Sequence, residues 1–239
     1  MSIDKITGRI NSIQTLGTLD GPGVRFVVFM QGCNLRCGCC HNPDTWDMSG
    51  GTEYTAVELA EKAERYREYF GEDGGVTLSG GEPLMQPKFA KTFFEECHRR
   101  GINTCLDTSG SILNDDVKEL LEHTDRVLLD IKYTTDDFYR EYVGCSIKTP
   151  LEFLGYLNEK KIPVTLRQVI IPTLNDNEQN ISALAEIIAK HPCVDKTELL
   201  PFKKICKVKY DKMGLDFKFE SFDVPTSETV KKLQKLLEK

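Results

Sequence analysis

Val24-Arg25-Phe26-Val27-Val28-Phe29-Met30 runs directly into Gln31-Gly32-Cys33-Asn34-Leu35-Arg36-Cys37-Gly38-Cys39-Cys40-His41-Asn42. The first half is nearly all apolar, with β-branched and aromatic residues, the pattern of a strand buried on both faces. The second half is a loop hanging from that strand's C-terminal end. It holds four of the chain's nine cysteines, and Cys33, Cys37 and Cys40 stand in a C-x3-C-x2-C spacing. Three thiolates on so short a loop can all turn inward onto one soft metal centre. A fourth protein ligand is not obvious.

Outward from this stretch the chain repeats one theme. Residues 6–16 alternate enough for a strand, and 17–23 form a Gly/Pro-punctuated turn. Residues 41–54 read as a Gly- and Asp-rich loop, after which Thr55 caps a helix over 57–70. Val76-Thr77-Leu78 is a short strand followed by Ser79-Gly80-Gly81-Glu82-Pro83 and a helix over 87–100. A strand over 103–106 ends in Asp107-Thr108-Ser109-Gly110, with a helix over 114–123; a strand over 126–129 ends in Asp130-Ile131-Lys132, with helical segments to 160. Strands over 164–171 and 197–200 follow, separated by a helix over 178–190, and Ser227 caps a terminal helix to Glu238.

Alternating strands and helices predict a parallel sheet covered by helices. Counting the cysteine strand as the first, there are six such steps, short of the eight of a closed barrel. The expected fold is therefore α/β, an open partial (β/α)6 barrel with an N-terminal strand extension and a C-terminal helix. A flat doubly wound sheet is the competing architecture. No linker or composition shift divides the 239 residues, so a single domain is expected. Cys33, Glu82, Asp107, Asp130, Lys132 and Arg167 all fall at or just after strand C-termini, the edge where α/β folds build their sites.

Forty per cent hydrophobic and 28% charged residues are ordinary for a globular chain. A net charge of −6 with no basic stripe argues against nucleic acid, and Lys203, Lys204, Lys207, Lys209 and Lys212 read as a solvated face. Residues 1–9 have no signal-peptide apolar core, and no run reaches the ~18 apolar residues of a membrane span. Nine cysteines, clustered rather than spread, suit a reduced, cytoplasmic, metal-binding protein. Cys97, Cys105, Cys145, Cys193 and Cys206 are expected to be small buried apolar groups.

Three chemistries compete for the cysteine loop. Structural zinc usually pairs two separated C-x2-C knuckles, and no second knuckle exists here. Electron-transfer clusters want four thiolates. The third is an iron–sulfur cluster with three cysteine ligands and one iron open to a small molecule, an arrangement that implies chemistry at that iron. Gly80 and Gly81 would let backbone approach a ligand closely, or merely make a tight turn. Glu82 could hold an ammonium group, and Asp107, Asp130 and Lys132 could fix a zwitterion or a cation.

The combination of Cys33-x3-Cys37-x2-Cys40 with Gly80-Gly81-Glu82-Pro83 resembles the radical S-adenosylmethionine superfamily. Gly17-Thr18-Leu19-Asp20-Gly21-Pro22-Gly23, Cys40-His41-Asn42, Asp44-Thr45-Trp46, Cys105 to Gly110, Leu129-Asp130-Ile131-Lys132 and Leu199-Leu200-Pro201 are similar to the pyruvate formate-lyase activating enzymes. The resemblance implies a four-iron four-sulfur cluster on Cys33, Cys37 and Cys40, whose open iron chelates S-adenosylmethionine. Reduced flavodoxin or ferredoxin would supply an electron, cleaving the cofactor to methionine and a 5′-deoxyadenosyl radical. That radical would take hydrogen from one glycine of a partner, pyruvate formate-lyase, leaving a glycyl radical. Carried over by position, Gly81 with Gly80 and Glu82 binds the methionine amino end, and Asp130, Ile131 and Lys132 contact the cofactor. Cys39 and His41 flank it, Arg167 and Lys203 lie on its side, and Asp20 faces the substrate loop. Asp107, Thr108 and Asp130 match positions that hold a monovalent cation.

Two departures stand out. Cys39 occupies a position often aromatic in the superfamily, where it contacts adenine, and Lys203 stands where relatives carry a histidine. No cysteine occurs between Asn42 and Val76, so the inserted ferredoxin domain of some related activases is absent. This favours pyruvate formate-lyase over other glycyl radical enzymes as partner. A radical enzyme acting on another glycyl radical enzyme or a small molecule is the enzymatic alternative. A non-catalytic zinc or iron–sulfur protein is the alternative from another class.

Overall fold

The computed structural model describes residues 6–237. The strands are β1 (Thr7–Gly17), β2 (Arg25–Met30), β3 (Thr52–Thr55), β4 (Gly75–Gly80), β5 (Asn103–Thr108), β6 (Arg126–Asp130), β7 (Val164–Ile170) and β8 (Val194–Pro201). Their hydrogen-bonded order is β3-β1-β2-β4-β5-β6-β7-β8. β1 is antiparallel to both β2 and β3, whereas β2 with β4, β4 with β5 and β7 with β8 run parallel. The expected α/β class with an N-terminal strand extension is what the chain adopts.

Two compact units divide the residues. The first comprises residues up to Asn34 together with Thr45–Leu128, and the second Leu35–Asp44 together with residues from Leu129 onward. In the first, Phe26, Val27, Val28 and Met30 of β2 are at most 1% exposed, which is why the run carries no alternation. α1 (Ala56–Glu64) begins in a capping box in which Thr55 and Glu58 bond each other's backbone. The single helix expected over 57–70 is broken: α2 (Arg67–Phe70) is a separate turn, because Tyr66 leaves helical geometry and sets its ring 5.7 Å from that of Phe26. α3 (Pro87–Arg99) buries Phe89, Phe93 and Phe94, and α4 (Asp115–Leu121) is capped by Asn114. β3 corrects the reading of 41–54 as loop throughout. It is an edge strand with two exposed and two half-buried residues, held by its register on β1 rather than by its own hydrophobicity.

Register sets the functional edge of this unit. Met30 pairs with Gly80 and Leu78 with Leu106, so the departure of the cysteine loop, the Gly-Gly turn and Asp107 come level.

The second unit carries α5 (Asp136–Tyr142), α6 (Lys148–Lys160), α7 (Glu178–Ala189), α8 (Lys207–Met213) and α9 (Ser227–Leu237). Thr226, not Ser227, caps α9 by accepting from the Thr229 amide, and the expected helix end at Glu238 lies outside the described residues. The lysines of the cluster are exposed or half-buried as expected, while Tyr210 between them on α8 is 2% exposed. Cys97, Cys105 and Cys206 are buried as expected, while Cys145 and Cys193 are half-buried.

At the start of α5, Asp136 accepts from Ser146 Oγ, the Ile147 amide and Arg140 Nε. The hydrogen bonds from Ser146 and Arg140 hold its carboxyl down at about 2. Because this folded value lies below the free-peptide value of about 3.9, the tie between α5 and α6 is complete above about pH 4 and is lost as pH falls through about 2. A carboxyl-detected NMR titration is expected to place the Asp136 midpoint near that lower value. A midpoint at the free-peptide value contradicts the tie.

Candidate active site

The first unit supplies the strand ends. Gly32, at φ +95°, donates its amide to Thr45 O at 2.7 Å as the chain turns out of β2. Gly81 N donates to Met30 O at 3.0 Å and Glu82 N to Gly32 O at 2.9 Å. A Cβ on Gly81 would lie 2.2 Å from Gly32 O, and one on Gly80 (φ +98°) 2.6 Å from Met30 N. These glycines are therefore required by backbone lying against the root of the cysteine loop.

Glu82 is 1% exposed, and its carboxylate accepts from Leu84 N, Thr108 Oγ1, Ser109 N and Ser109 Oγ. Burial nevertheless keeps its pKa raised. Four donors from the protein itself engage the carboxylate expected to receive an ammonium group. The residue thus clamps the Gly-Gly turn to the loop after β5. Asp107 accepts from Ser79 Oγ at 2.7 Å.

The second unit supplies the rest of the cysteine loop and a charged cluster. Gly38 N donates to Tyr142 O at 2.8 Å and Arg36 N to Val143 O at 3.4 Å, seating the loop on the end of α5. The Cys40 amide donates to Cys37 O at 3.1 Å, and Tyr210 Oη donates to Cys40 O at 3.2 Å. Lys209 Nζ reaches Asn42 Oδ1 at 2.9 Å and Asp44 Oδ1 at 2.8 Å. The His41 ring donates from Nε2 to Lys203 O at 3.1 Å; that tautomer follows because a carbonyl only accepts. Lys203 meets His41 through its backbone, and the residue itself is exposed.

Asp130 is held by two cations at once, Arg167 Nε on Oδ1 and Lys132 Nζ on Oδ2, each at 2.9 Å. Burial alone would raise its pKa, but the charges of Arg167 and Lys132 and their hydrogen bonds overcome this and hold it at about 2. Ile131 is fully buried and donates its amide to Arg167 O at 3.0 Å, while the Lys132 amide donates to Tyr139 Oη at 3.0 Å. Sequence reading missed Tyr210 and Lys209. The signal for Tyr210 was its helical spacing from Cys206, both of which the fold buries.

None of the nine cysteines is disulfide-bonded. Among the described residues no group of three His, Cys, Asp or Glu side chains is arranged to hold a single metal ion. Of the three residues expected to hold a cation, Asp107 accepts from Ser79, Thr108 donates to Glu82, and Asp130 faces two cations. An iron–sulfur cluster makes a different demand, one soft thiolate on each of several irons. Cys33, Cys37 and Cys40 are half-buried thiols of that chemistry, whereas Cys39 is 8% exposed, and burial pushes its thiol up to about 11. The donor set fits the cluster.

Residues 27–185 match the family model of the radical SAM superfamily. The pyruvate formate-lyase-activating enzyme of Clostridium pasteurianum is 46% identical over 233 residues, covering 97% of this chain and 98% of that protein. The pyruvate formate-lyase 1-activating enzyme of Escherichia coli is 41% identical over 236 residues, covering 98% and 96%. Among solved structures, a domain of pyruvate-formate lyase-activating enzyme from Bacteroides vulgatus has a TM-score of 0.58 at 24% identity, over 69% of this chain and 93% of that one. A radical SAM methyltransferase from Sphaerobacter thermophilus has a TM-score of 0.64 at 19% identity, over 90% and 63%. The solved structures speak for the fold alone. The sequence relatives, similar from end to end, place this chain in the radical SAM superfamily and within it among the pyruvate formate-lyase-activating enzymes.

Proposed function

We propose that this chain installs a glycyl radical on pyruvate formate-lyase. The observation that carries the reading is identity of 46% and 41% to two pyruvate formate-lyase-activating enzymes over nearly the whole of both partners. The chemistry supplied on binding a four-iron four-sulfur cluster and S-adenosylmethionine is one-electron reductive cleavage of the latter, followed by removal of a hydrogen atom from a glycine of the partner.

The residues of this chain have the following parts in that reading. Cys33, Cys37 and Cys40 hold the cluster. Gly80 and Gly81 bring backbone groups to the amino end of the cofactor, and Glu82 keeps their turn in place by its bonds to Thr108 and Ser109. Asp130 is presented in one fixed orientation because Arg167 and Lys132 each hold one of its oxygens, and Ile131 offers an apolar contact beside it. Asp20 lies on the side of the protein substrate. Reduced flavodoxin or ferredoxin is the electron donor. No helix among the described residues is long and apolar enough to cross a membrane, and the reading places the protein in the cytoplasm.

The test is electron paramagnetic resonance after anaerobic reconstitution, reduction and mixing with S-adenosylmethionine and candidate partners. A glycyl doublet is expected with pyruvate formate-lyase and not with other glycyl radical enzymes. A doublet only with another partner transfers the activity to that partner. Failure to cleave S-adenosylmethionine at all ends the enzymatic reading.

A further inference from the structure

Arg25 opens β2 and is fully buried. A guanidinium removed from water needs every donor matched, and an apolar residue would sit there at less cost. Its hydrogen bonds run to neutral acceptors: Nε to Thr77 Oγ1 at 3.0 Å, Nη1 to Asn103 Oδ1 at 2.9 Å and to Asp73 O at 3.1 Å, and Nη2 to Val76 O. The consequence lies one bond further on. Thr77 has one proton to give, and a guanidinium cannot accept it. The proton is therefore directed elsewhere, and the Thr77 hydroxyl donates to Asp20 O at 2.7 Å.

Asp20 sits in the turn between β1 and β2, in the Gly17-Thr18-Leu19-Asp20-Gly21-Pro22-Gly23 stretch. Leu19 beside it is 85% exposed, the most exposed large apolar side chain among the described residues. Gly21 adopts φ +130°, and a Cβ there would stand 3.4 Å from both Arg25 Nε and Cys105 Sγ. The same buried arginine thus braces the turn from below, while its apolar tip faces solvent.

We infer that Thr77 is a positioning residue for recognition of the protein substrate. Oriented by Arg25, it fixes the backbone of Asp20 and so the presentation of Leu19 and Asp20 to a polypeptide. The inference rests on the activase reading, in which Asp20 faces the substrate. Thr77 touches neither substrate nor cofactor; it acts through the turn.

Thr77→Val keeps the shape and removes the hydroxyl, and Thr77→Ser keeps the hydroxyl. In Thr77→Val, KM for pyruvate formate-lyase is expected to rise about tenfold, the scale of one lost hydrogen bond, with kcat within about twofold. Cleavage of S-adenosylmethionine by reduced enzyme without protein substrate stays at the wild-type rate. Amide exchange across residues 18–23 speeds up, and Thr77→Ser restores both KM and exchange. A wild-type KM in Thr77→Val, or equal loss of both activities in a folded variant, overturns the inference. Should Thr77→Val not fold, Gly21→Ala strains the same turn at its positive φ and is expected to raise KM with cofactor cleavage intact. Faster exchange in that variant with an unchanged KM also overturns the inference. Wild-type enzyme that cleaves S-adenosylmethionine but leaves pyruvate formate-lyase without a radical sinks the activase reading instead, which separates the two failures.

Discussion

Cys40→Ala is expected to lose the iron–sulfur cluster, and Cys39→Ala to keep it. The two sulfurs are adjacent in sequence, yet the fold treats them differently. Cys40 is half-buried at the end of a turn closed by its own amide on Cys37 O, and its carbonyl is held by Tyr210 Oη. Cys39 is 8% exposed and sunk into the second unit. Alanine at position 39 removes a buried sulfur, a change of packing that leaves all three proposed ligands in place. Alanine at position 40 removes one of three thiolates, and no fourth cysteine completes the C-x3-C-x2-C spacing. Loss of an outer-shell partner at a metal site typically costs roughly 10–100-fold, so loss of a ligand itself is expected to exceed that and abolish turnover. Iron and sulfide per chain after anaerobic reconstitution decide the matter. Equal loss in the two variants overturns the assignment, and so does a Cys40→Ala protein that keeps a full cluster.

The cysteine strand and the edge it belongs to were legible because they depend on local sequence. A nearly all apolar run announces a strand buried on both faces, and a parallel register then carries its end level with Gly80. What was not legible depends on partners distant in the chain. β3 is too short and too exposed to announce itself, and it exists because β1 offers a free edge. The break at Tyr66 answers to Phe26, some forty residues earlier. Glu82 illustrates the same limit within the site. The sequence placed its carboxylate at a strand end, but only the fold shows Thr108 and Ser109 turning it into a clamp. The lysine cluster was read by charge alone, and charge does not reveal that Lys209 spends its ammonium on Asn42 and Asp44 of the cysteine loop.

Asp130→Ala is expected to be the most destabilising charge removal in the second unit. The side chains of Arg167 and Lys132 are only 9% and 15% exposed, and both lean on the one carboxylate at 2.9 Å. Taking it away removes the carboxylate shared by two poorly hydrated cations, and breaking a buried pair from one side costs roughly 3–5 kcal/mol. The lost hydrogen bonds are those from Arg167 Nε and Lys132 Nζ, while the backbone ties of Ile131 to Arg167 O and of Lys132 to Tyr139 remain. Asp130→Asn keeps the shape and one acceptor, so it costs less than alanine. Arg167→Met in the Asp130→Ala background removes one of the two cations that faced the carboxylate and regains part of the loss, a coupling of about 1–3 kcal/mol in a double-mutant cycle. Urea midpoints at unchanged slope measure these differences. A strictly additive cycle contradicts the triad, because its energy then resides in each residue's own burial. Binding of S-adenosylmethionine separates structure from function in the same set. Asp130→Asn, compared at temperatures where it is folded, is expected to bind the cofactor more weakly, because the orientation held by two cations is what the reading assigns to that carboxylate. Wild-type affinity in Asp130→Asn leaves the triad a brace for the fold and takes it out of the site.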